Sequence, residues 1–289
     1  MPSSKYNHHN HTKKTSSLPR AKKSLGQNFL IDEDVLEQIV DSCNPTADDT
    51  VLEIGPGTGV LTKRLAARAG KVVAVEIDED MKPILQSNLA HIGDVTVYFD
   101  DILKVDLGEL RETYSGGRPF TVCANLPYYI STPVIMKLLR DKVPPKSCTV
   151  MVQKELGIRM AAAPGSKDYG ELSVVVQYYA APETICIVPP SSFRPAPKVD
   201  SIVLRLVPLE EPPVSVRDEN FFFDLVSASF AHRRKTLVNS VSASGHPRMD
   251  KEKVQRALNV LHGTYPHIDE NIRAERLTLQ EFAALSDLL

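Results

Sequence analysis

Short apolar runs rich in valine and isoleucine recur along the first half of the chain, and stretches long enough for a helix separate them. The runs are VLEI (51–54), VVAVEI (72–77), VTVYF (95–99), TVCAN (121–125) and TVMVQ (149–153). Strands that alternate with helix-length spacers are typical of βαβ units, in which neighbouring strands are parallel. The sequence therefore predicts an α/β protein built on a parallel sheet.

Two further strand-like runs, ETICIV (183–188) and SIVLRLV (201–207), follow the alternating part. The proline-rich loop between them is too short for a helical crossover and long enough for an antiparallel return. We therefore expect a seven-stranded, mostly parallel sheet whose last pair of strands is antiparallel. Residues 172–180 (LSVVVQYYA) suit a strand by their β-branched residues and a buried helix by their apolar ones, and the pattern leaves both open.

A break in composition at EEPP (210–213) separates the strand-rich part from a part with helical patterns only. These patterns cover residues 221–241, residues 251–263 and a final segment that begins with a capping box from Thr278 to Glu281. We expect a ligand-binding domain at 21–209 and a small C-terminal helical domain at 210–289.

Charge is unevenly placed along the chain, although the formal net charge is only −2. Residues 1–23 carry six Lys or Arg and no acid, which leaves 28 basic and 36 acidic residues, net −8, for the remainder. Residues 1–20 are therefore expected to form a disordered basic tail on an acidic body. A similar composition would suit an organelle transit peptide, which is the alternative.

The length of the apolar runs and the spacing of the cysteines indicate the cellular compartment of the protein. No apolar run reaches the roughly 18 residues of a membrane span. The four cysteines lie far apart in no CxxC pattern, which favours buried thiols in a reducing compartment over a disulfide framework or a metal site. We expect a cytoplasmic protein that uses no metal and binds no membrane.

A glycine-rich loop, with Gly55, Gly57 and Gly59, follows the first strand directly and precedes a helix. Glycine allows a tight turn and a close approach of the backbone to a ligand. The third glycine of the dinucleotide fingerprint G-x-G-x-x-G is replaced by Val60, and the chain has no P-loop motif. The loop therefore predicts a ligand other than a nicotinamide dinucleotide or a P-loop nucleotide.

Polar residues close the next strands, namely Glu76, Asp101 and Asn125. In an open parallel sheet the ligand crevice lies at the carboxyl ends of the strands. A carboxylate about 20 residues past the glycines can accept both ribose hydroxyls, and the next one can accept a hydrogen bond from an adenine amino group. Each acid alone could instead cap the following helix. Together with the glycines they predict an adenosine pocket.

The tetrad NLPY, residues 125–128, ends the fourth strand. The amide oxygen of Asn125 and the backbone carbonyl of Leu126 are two acceptors, and Pro127 fixes the chain so that both can point into the crevice. Two acceptors fit an exocyclic amine with two hydrogens, and their bonds strengthen as charge develops on the attacking nitrogen. Tyr128 offers a flat face for a base that has left its helix. The tetrad predicts chemistry at an aromatic amine.

Ten stretches that begin at residue 22 together resemble a known family. They are KKSLGQNFL, VLEIGPGTGVLT, VVAVEID, DDILKVD, NLPYYIST, VQKELGIRM, YGELSVVVQYY, SSFRPAPKVDS, FAHRRKTLVNS and RAERLTLQEF. The sequence is similar to the KsgA-type ribosomal RNA adenine dimethyltransferases, S-adenosylmethionine enzymes of the Rossmann-like methyltransferase fold. In that family YGELSVVVQYY is helical, which favours a helix at 172–180.

The resemblance also implies roles for individual residues. The residues that would contact S-adenosylmethionine are Asn28, Leu30, Gly55, Gly57, Glu76, Asp101 and Asn125. Asn125, Leu126 and Tyr128 would receive the target adenine, with Phe193 as a second aromatic unless it is only a core residue under the proline-rich loop. The basic cluster His232, Arg233, Arg234 and Lys235, expected on the first helix of the C-terminal domain, would grip RNA phosphates, unless it is only a solvated face.

By the same resemblance, the enzyme would dimethylate N6 of two adjacent adenosines in the hairpin loop near the 3′ end of small-subunit (16S) ribosomal RNA. Its partner would be the small ribosomal subunit or its RNA, and we expect a monomer. Two alternatives remain at this point. One is an Erm-type enzyme that methylates large-subunit RNA, and the other is a non-enzymatic assembly or transcription factor related to this family.

Overall fold

The computed structural model describes residues 19–289, so the expected tail at 1–20 lies almost wholly outside the described residues. A seven-stranded sheet and a two-stranded sheet are present. The strands are β1 (Phe29–Leu30), β2 (Thr50–Ile54), β3 (Lys71–Glu76), β4 (Val95–Phe99), β5 (Thr121–Asn125), β6 (Ser147–Gln153), β7 (Ala180–Val188), β8 (Phe193–Arg194) and β9 (Ser201–Pro208). The α-helices are α1 (Glu33–Cys43), α2 (Val60–Ala66), α3 (Lys82–Leu89), α4 (Leu107–Ser115), α5 (Ser131–Leu139), α6 (Lys154–Met160), α7 (Glu171–Tyr179), α8 (Glu219–Phe230), α9 (Leu237–Ser242), α10 (Lys251–His262) and α11 (Leu279–Leu288). Within the described residues, no helix combines the length and the apolar character needed to cross a membrane.

The order of strands in the large sheet is β4-β3-β2-β5-β6-β9-β7. The first five of these are mutually parallel, whereas β9 runs antiparallel to both β6 and β7. The prediction of a seven-stranded, mostly parallel sheet with an antiparallel last pair is therefore confirmed. The chain moves outward from β2 to β4 and then returns to the other side of β2 with β5, so the strand order reverses between β2 and β5. A reversal of this kind opens a ligand crevice at the carboxyl ends of the strands.

The first helix illustrates how local sequence sets an element. The side chain of Asp32 accepts a hydrogen bond from the backbone N–H of Val35 and so caps α1. Val35, Leu36, Ile39 and Val40 are buried at helical spacing against the sheet. The cap fixes where the helix begins, and the apolar stripe fixes which face turns inward.

Residues 171–179 form α7, so the helical alternative is correct for this segment. Its valines lie on different sides, because Val176 packs into the core beneath the sheet while Val174 and Tyr178 pack into the core of the C-terminal helices. In a helix, residues 174 and 178 lie on one face and residue 176 lies on another, so the segment can contact both cores. Strand propensity reflects the individual residues and not these contacts. The two cores therefore decide the helical form.

The expectation that the basic cluster lies on a continuous first C-terminal helix is wrong. The helix α8 ends at Phe230, and His232, Arg233, Arg234 and Lys235 form an exposed turn before α9 begins at Leu237. The buried positions of α8 run through Leu225 and Ser229, and the same spacing would carry His232 and Arg233 into the core. Because an unpaired buried cation is costly, the chain turns instead. We call residues 232–235 the basic turn.

Candidate active site

The glycine loop connects β2 to α2 in backbone conformations that L side chains rarely adopt. Gly55 has a φ of 71° and Gly57 a φ of 55°. A Cβ added at Gly57 would lie 3.3 Å from the ring of Phe29, which is tighter than an ordinary contact. A side chain at Gly57 would therefore strain the backbone and press on Phe29, so glycine is needed at this position of the loop.

Glu76, at the end of β3, is almost fully buried and points at the glycine loop. One carboxylate oxygen accepts a hydrogen bond from the N–H of Gly57 at 3.1 Å, and the other accepts one from the N–H of Asp78 at 2.8 Å. Burial raises the pKa of Glu76 above its ordinary value, and these backbone donors oppose part of that rise. The carboxylate is thus fixed in orientation beside the loop and does not cap a helix.

Asp101 follows β4 and is more exposed than Glu76. One of its oxygens accepts a hydrogen bond from the N–H of Leu103 at 3.0 Å, and the other lies 3.8 Å from the Lys104 ammonium. This is the geometry of an acid that stabilises its own turn, in line with the capping alternative. Asp101 nevertheless lines the same cavity as Glu76. It therefore stabilises its own turn and also lies where it can contact a ligand.

The side-chain amide of Asn125 is oriented by the N-terminal segment. Its NH2 group donates to the backbone carbonyl of Asn28 at 3.3 Å, and its amide oxygen accepts no hydrogen bond from residues 19–289. The backbone N–H of Leu126 donates to the Met151 carbonyl at 3.1 Å, whereas the Leu126 carbonyl accepts no hydrogen bond from any residue within 19–289. Both acceptors inferred from the NLPY tetrad are therefore available.

Aromatic side chains and a proline complete this end of the cavity. The phenol of Tyr128 is hydrogen bonded to the buried Ser201 hydroxyl at 2.8 Å, and burial raises its pKa above the ordinary value. Phe193, on β8, is 3% exposed and packs with Leu30 in a core cluster while it also lines the cavity. Pro127 lies between the two acceptors and the phenol and lines the cavity as well.

The segment before β1 covers the cavity and is tied to the end of β3 by Asp78, a residue that the sequence reasoning missed. The Lys22 ammonium and the side-chain amide of Gln27 both donate to the Asp78 carboxylate. Burial would raise the pKa of Asp78, but these hydrogen bonds outweigh it and leave the pKa below its ordinary value. The sequence shows an acid two residues after Glu76 and two lysines at 22–23, but these segments are far apart in the chain. No local pattern indicates that Asp78 and Lys22 form an ion pair.

Glu53 was also missed, because it lies inside an apolar strand. It is 1% exposed in the middle of β2, and burial, with a smaller contribution from the negative charge of Glu76, raises its pKa to about 8. One of its oxygens is buried without a hydrogen-bond partner in the described part of the chain. Glu53 lines the cavity, so a ligand with a hydrogen-bond donor could satisfy this oxygen.

A single cavity brings the expected pocket residues together. Its lining includes Asn28, Leu30, Gly55, Gly57, Glu76, Asp101, Asn125, Leu126, Pro127, Tyr128 and Phe193. The basic turn is not part of this lining. No cluster of three or more His, Cys, Asp or Glu residues suited to a metal occurs within residues 19–289.

Comparison with known proteins places this geometry in a family. The family model for ribosomal RNA adenine dimethylases matches residues 19–277. The chain is 50% identical over 267 residues to the ribosomal RNA small subunit methyltransferase A of Alkaliphilus metalliredigens, an alignment that covers 92% of this chain and 91% of that protein.

Two solved structures support the fold. A dimethyladenosine transferase from Plasmodium falciparum superposes with a TM-score of 0.73 at 27% identity, covering 89% of this chain and 95% of the other. The 23S rRNA methyltransferase ErmE superposes with a TM-score of 0.69 at 24% identity, covering 91% of this chain and 99% of that one. The expected Rossmann-like methyltransferase fold is confirmed, and the chain belongs to the ribosomal RNA adenine dimethylase family.

Proposed function

We propose that this protein transfers methyl groups from S-adenosylmethionine to N6 of adenosines in small-subunit ribosomal RNA, and that it dimethylates two adjacent adenosines in the 3′-terminal hairpin loop of that RNA. The observation that carries the proposal is the pair of free acceptors at the end of β5, the Asn125 amide oxygen and the Leu126 carbonyl. The 50% sequence identity to a ribosomal RNA small subunit methyltransferase supports small-subunit RNA as the substrate.

S-adenosylmethionine fits the residues that line the cavity. When bound, it supplies an electrophilic methyl group. Glu76 would hold the ribose hydroxyls, and Gly55 and Gly57 would let the backbone approach the ligand. Asn28, Leu30 and Asp101 would complete the contacts. The Glu53 oxygen that has no hydrogen-bond partner among residues 19–289 would accept a hydrogen bond from the ammonium group of the ligand.

The target adenine would be held from two sides. The Asn125 amide oxygen and the Leu126 carbonyl would accept the two N6 hydrogens, which turns the nitrogen lone pair toward the methyl group. As positive charge develops on N6, both hydrogen bonds strengthen, so they stabilise the transition state more than the ground state. Asn125, whose NH2 group donates a hydrogen bond to the carbonyl of Asn28, would also contact the cofactor.

Tyr128 and Phe193 would sandwich or support the flipped base, with Pro127 keeping the tetrad rigid. The hydrogen bond to Ser201 fixes the Tyr128 ring. A phenol is already protonated at neutral pH at its ordinary pKa of about 10, and burial raises the pKa of Tyr128 further, so it would not serve as a base. The site thus works by holding and polarising the amine, and the proton leaves N6 to water after methyl transfer.

For the rest of the molecule, we propose a division into a methyltransferase domain at 21–209 and an RNA-binding helical domain at 210–289. The basic turn would contact RNA phosphates, since its four side chains are exposed. A cytoplasmic monomer that acts on the small subunit or its RNA is the simplest form of this proposal. Organellar import is the alternative location.

The competing functions are less well supported. ErmE, which acts on 23S rRNA, is only 24% identical to this chain, about half the identity of the small-subunit relative. A purely non-enzymatic role would leave the free acceptors of Asn125 and Leu126 without a purpose.

The decisive experiment offers the protein labelled S-adenosylmethionine with unmodified small subunits, large subunits and naked RNA, and then maps the modified nucleotides. We expect two adjacent dimethyladenosines in the small-subunit RNA. Label in large-subunit RNA alone would overturn the proposal in favour of the Erm-type alternative, and no label anywhere would favour a non-enzymatic role.

A further inference from the structure

An exposed aromatic ring stands at the rim of the cavity, directly after the tetrad. Tyr129 is 55% exposed, whereas its neighbour Tyr128 points inward and lines the cavity. Among the described residues, the other tyrosine with a comparably exposed side chain is Tyr98, at 40%, on the edge strand β4. Neither ring lines the cavity itself, but Pro127, Tyr128 and Ile130, which flank Tyr129, do. Tyr129 therefore does not serve the core.

The backbone on either side of this ring is held in place. The N–H of Ile130 donates to the Pro127 carbonyl at 3.2 Å, and the Ser131 hydroxyl donates to the same carbonyl at 3.0 Å. Gly26, in the segment that covers the cavity, has a φ of 60°, and a Cβ built there would lie 3.5 Å from the Tyr129 ring. The ring is thus supported from beneath by the covering segment while one side stays open to solvent.

An adenosine that enters the cavity leaves the base stack of its RNA. The nucleotide beside it then loses a stacking partner, and an aromatic face at the cavity rim can replace that partner. Stacking on an aromatic side chain needs no particular base, because every base has a flat face. A large exposed ring near the mouth of a base-binding cavity suits this role. It contributes little to the stability of the fold, because the hydrophobic effect favours only the apolar surface that is buried.

We propose that Tyr129 stacks against the nucleotide adjacent to the target adenosine and so positions the RNA backbone at the cavity entrance. This inference rests on the proposed function, because it takes the cavity as the site of the target adenine. Tyr129 is a substrate-binding residue in this proposal and takes no part in holding the cofactor.

The test compares Tyr129→Ala with Tyr129→Phe, which keeps the ring, and with Tyr98→Ala, which removes an exposed tyrosine elsewhere. With unmodified small subunits as substrate, we expect Tyr129→Ala to raise KM for the subunit by about 5–100-fold and to change kcat by much less. Tyr129→Phe and Tyr98→Ala should stay near the parental KM. All variants should bind S-adenosylmethionine with parental affinity, which a folding defect would not allow.

A second measurement separates this inference from the proposed function. Equilibrium binding of a short fluorescein-labelled oligoadenosine does not depend on which ribosomal RNA is the substrate, and Tyr129→Ala should weaken it while Tyr98→Ala should not. If the parental protein leaves small subunits unmethylated but this difference persists, the proposed substrate is wrong and the stacking role stands. Equal binding and equal KM for Tyr129→Ala and Tyr98→Ala would overturn the stacking role.

Discussion

The cavity at the strand ends and the basic turn differ in how their polar groups are held. In the cavity, Glu76 and Asn125 are oriented by hydrogen bonds to the backbone. In the basic turn, Arg233 donates to the Lys167 carbonyl at 2.6 Å, but the side chains of Arg234 and Lys235 make no hydrogen bond or ion pair with any residue in the described range.

This difference has a physical cause. Away from water most polar groups take partners inside the protein, so the fold orients Glu76 and Asn125 before any ligand arrives. A surface cation is satisfied by water and can adapt to the position of a phosphate. This protein therefore prepares its site of chemistry in advance and leaves its proposed RNA-binding surface adjustable. Substitutions should have large, specific effects in the cavity and small, salt-dependent ones in the turn.

The largest effect should come from Asn125→Ala. If the amide oxygen holds the attacking amine, its loss should slow methyl transfer by roughly 10²–10³-fold, the usual effect of removing one preorganised group at developing charge. Single-turnover rates at saturating S-adenosylmethionine and saturating RNA measure this step apart from binding. A parental rate would contradict the role given to the tetrad, and a loss of cofactor binding alone would move Asn125 to the cofactor site.

Glu53→Gln tests the buried acid of β2. The folded-state pKa, about 8, lies above the ordinary value of 4.5, so the stability that this acid contributes is complete below pH 4.5 and is lost as the pH rises through 8. The ligand-free parental protein should therefore lose about 5 kcal/mol of unfolding free energy relative to Glu53→Gln as the pH is raised from below 4.5 to above 8.

Urea unfolding of both proteins across this pH range measures the difference. Glu155→Gln, at an exposed acid on α6, is the matched control and should follow the parental curve. Parallel curves for the parental protein and Glu53→Gln would show that Glu53 titrates normally.

Glu76→Ala should weaken the binding of S-adenosylmethionine. A hydrogen bond to a charged acceptor contributes about 1.5–3 kcal/mol, so the dissociation constant should rise by roughly 10–150-fold. Calorimetric titration gives this value, and Glu79→Ala, at an exposed acid three residues along, should bind like the parental protein. Near-native affinity in a folded Glu76→Ala protein would remove the ribose contact from the proposed site.

The smallest effect is expected in the basic turn, where Arg234→Gln combined with Lys235→Gln removes two exposed cations. RNA binding should weaken, and the slope of log affinity against log salt should become shallower by about 1–2, because each phosphate that is no longer neutralised lowers the slope by roughly one unit. Lys251→Gln, at an exposed lysine that begins α10, should leave the slope unchanged. An unchanged slope in the double variant would make the turn a solvated surface only.

Much of the fold follows from local sequence. The alternation of apolar runs with helix-length spacers sets the parallel sheet, because strand and helix periodicities are local properties. The polar residues Glu76, Asp101 and Asn125 close consecutive strands, and parallel strands bring those ends to one edge of the sheet. Local patterns were therefore enough to predict the sheet, the cavity edge and part of the cavity lining, whereas Asn28 and Phe193 were expected only from the family resemblance.

Other features depend on contacts between segments far apart in the chain, and they become visible only in the folded protein. Residues 171–179 are a helix because two cores receive their side chains, and the basic turn interrupts a helical pattern because a continuous helix would bury His232 and Arg233. The pKa of Glu53 is raised to about 8 because the fold removes its carboxyl group from water. The Asn125 amide has its orientation because its NH2 group donates to the carbonyl of Asn28, 97 residues away in sequence. Burial and long-range hydrogen bonds have no local signature, since they arise when the chain has already folded.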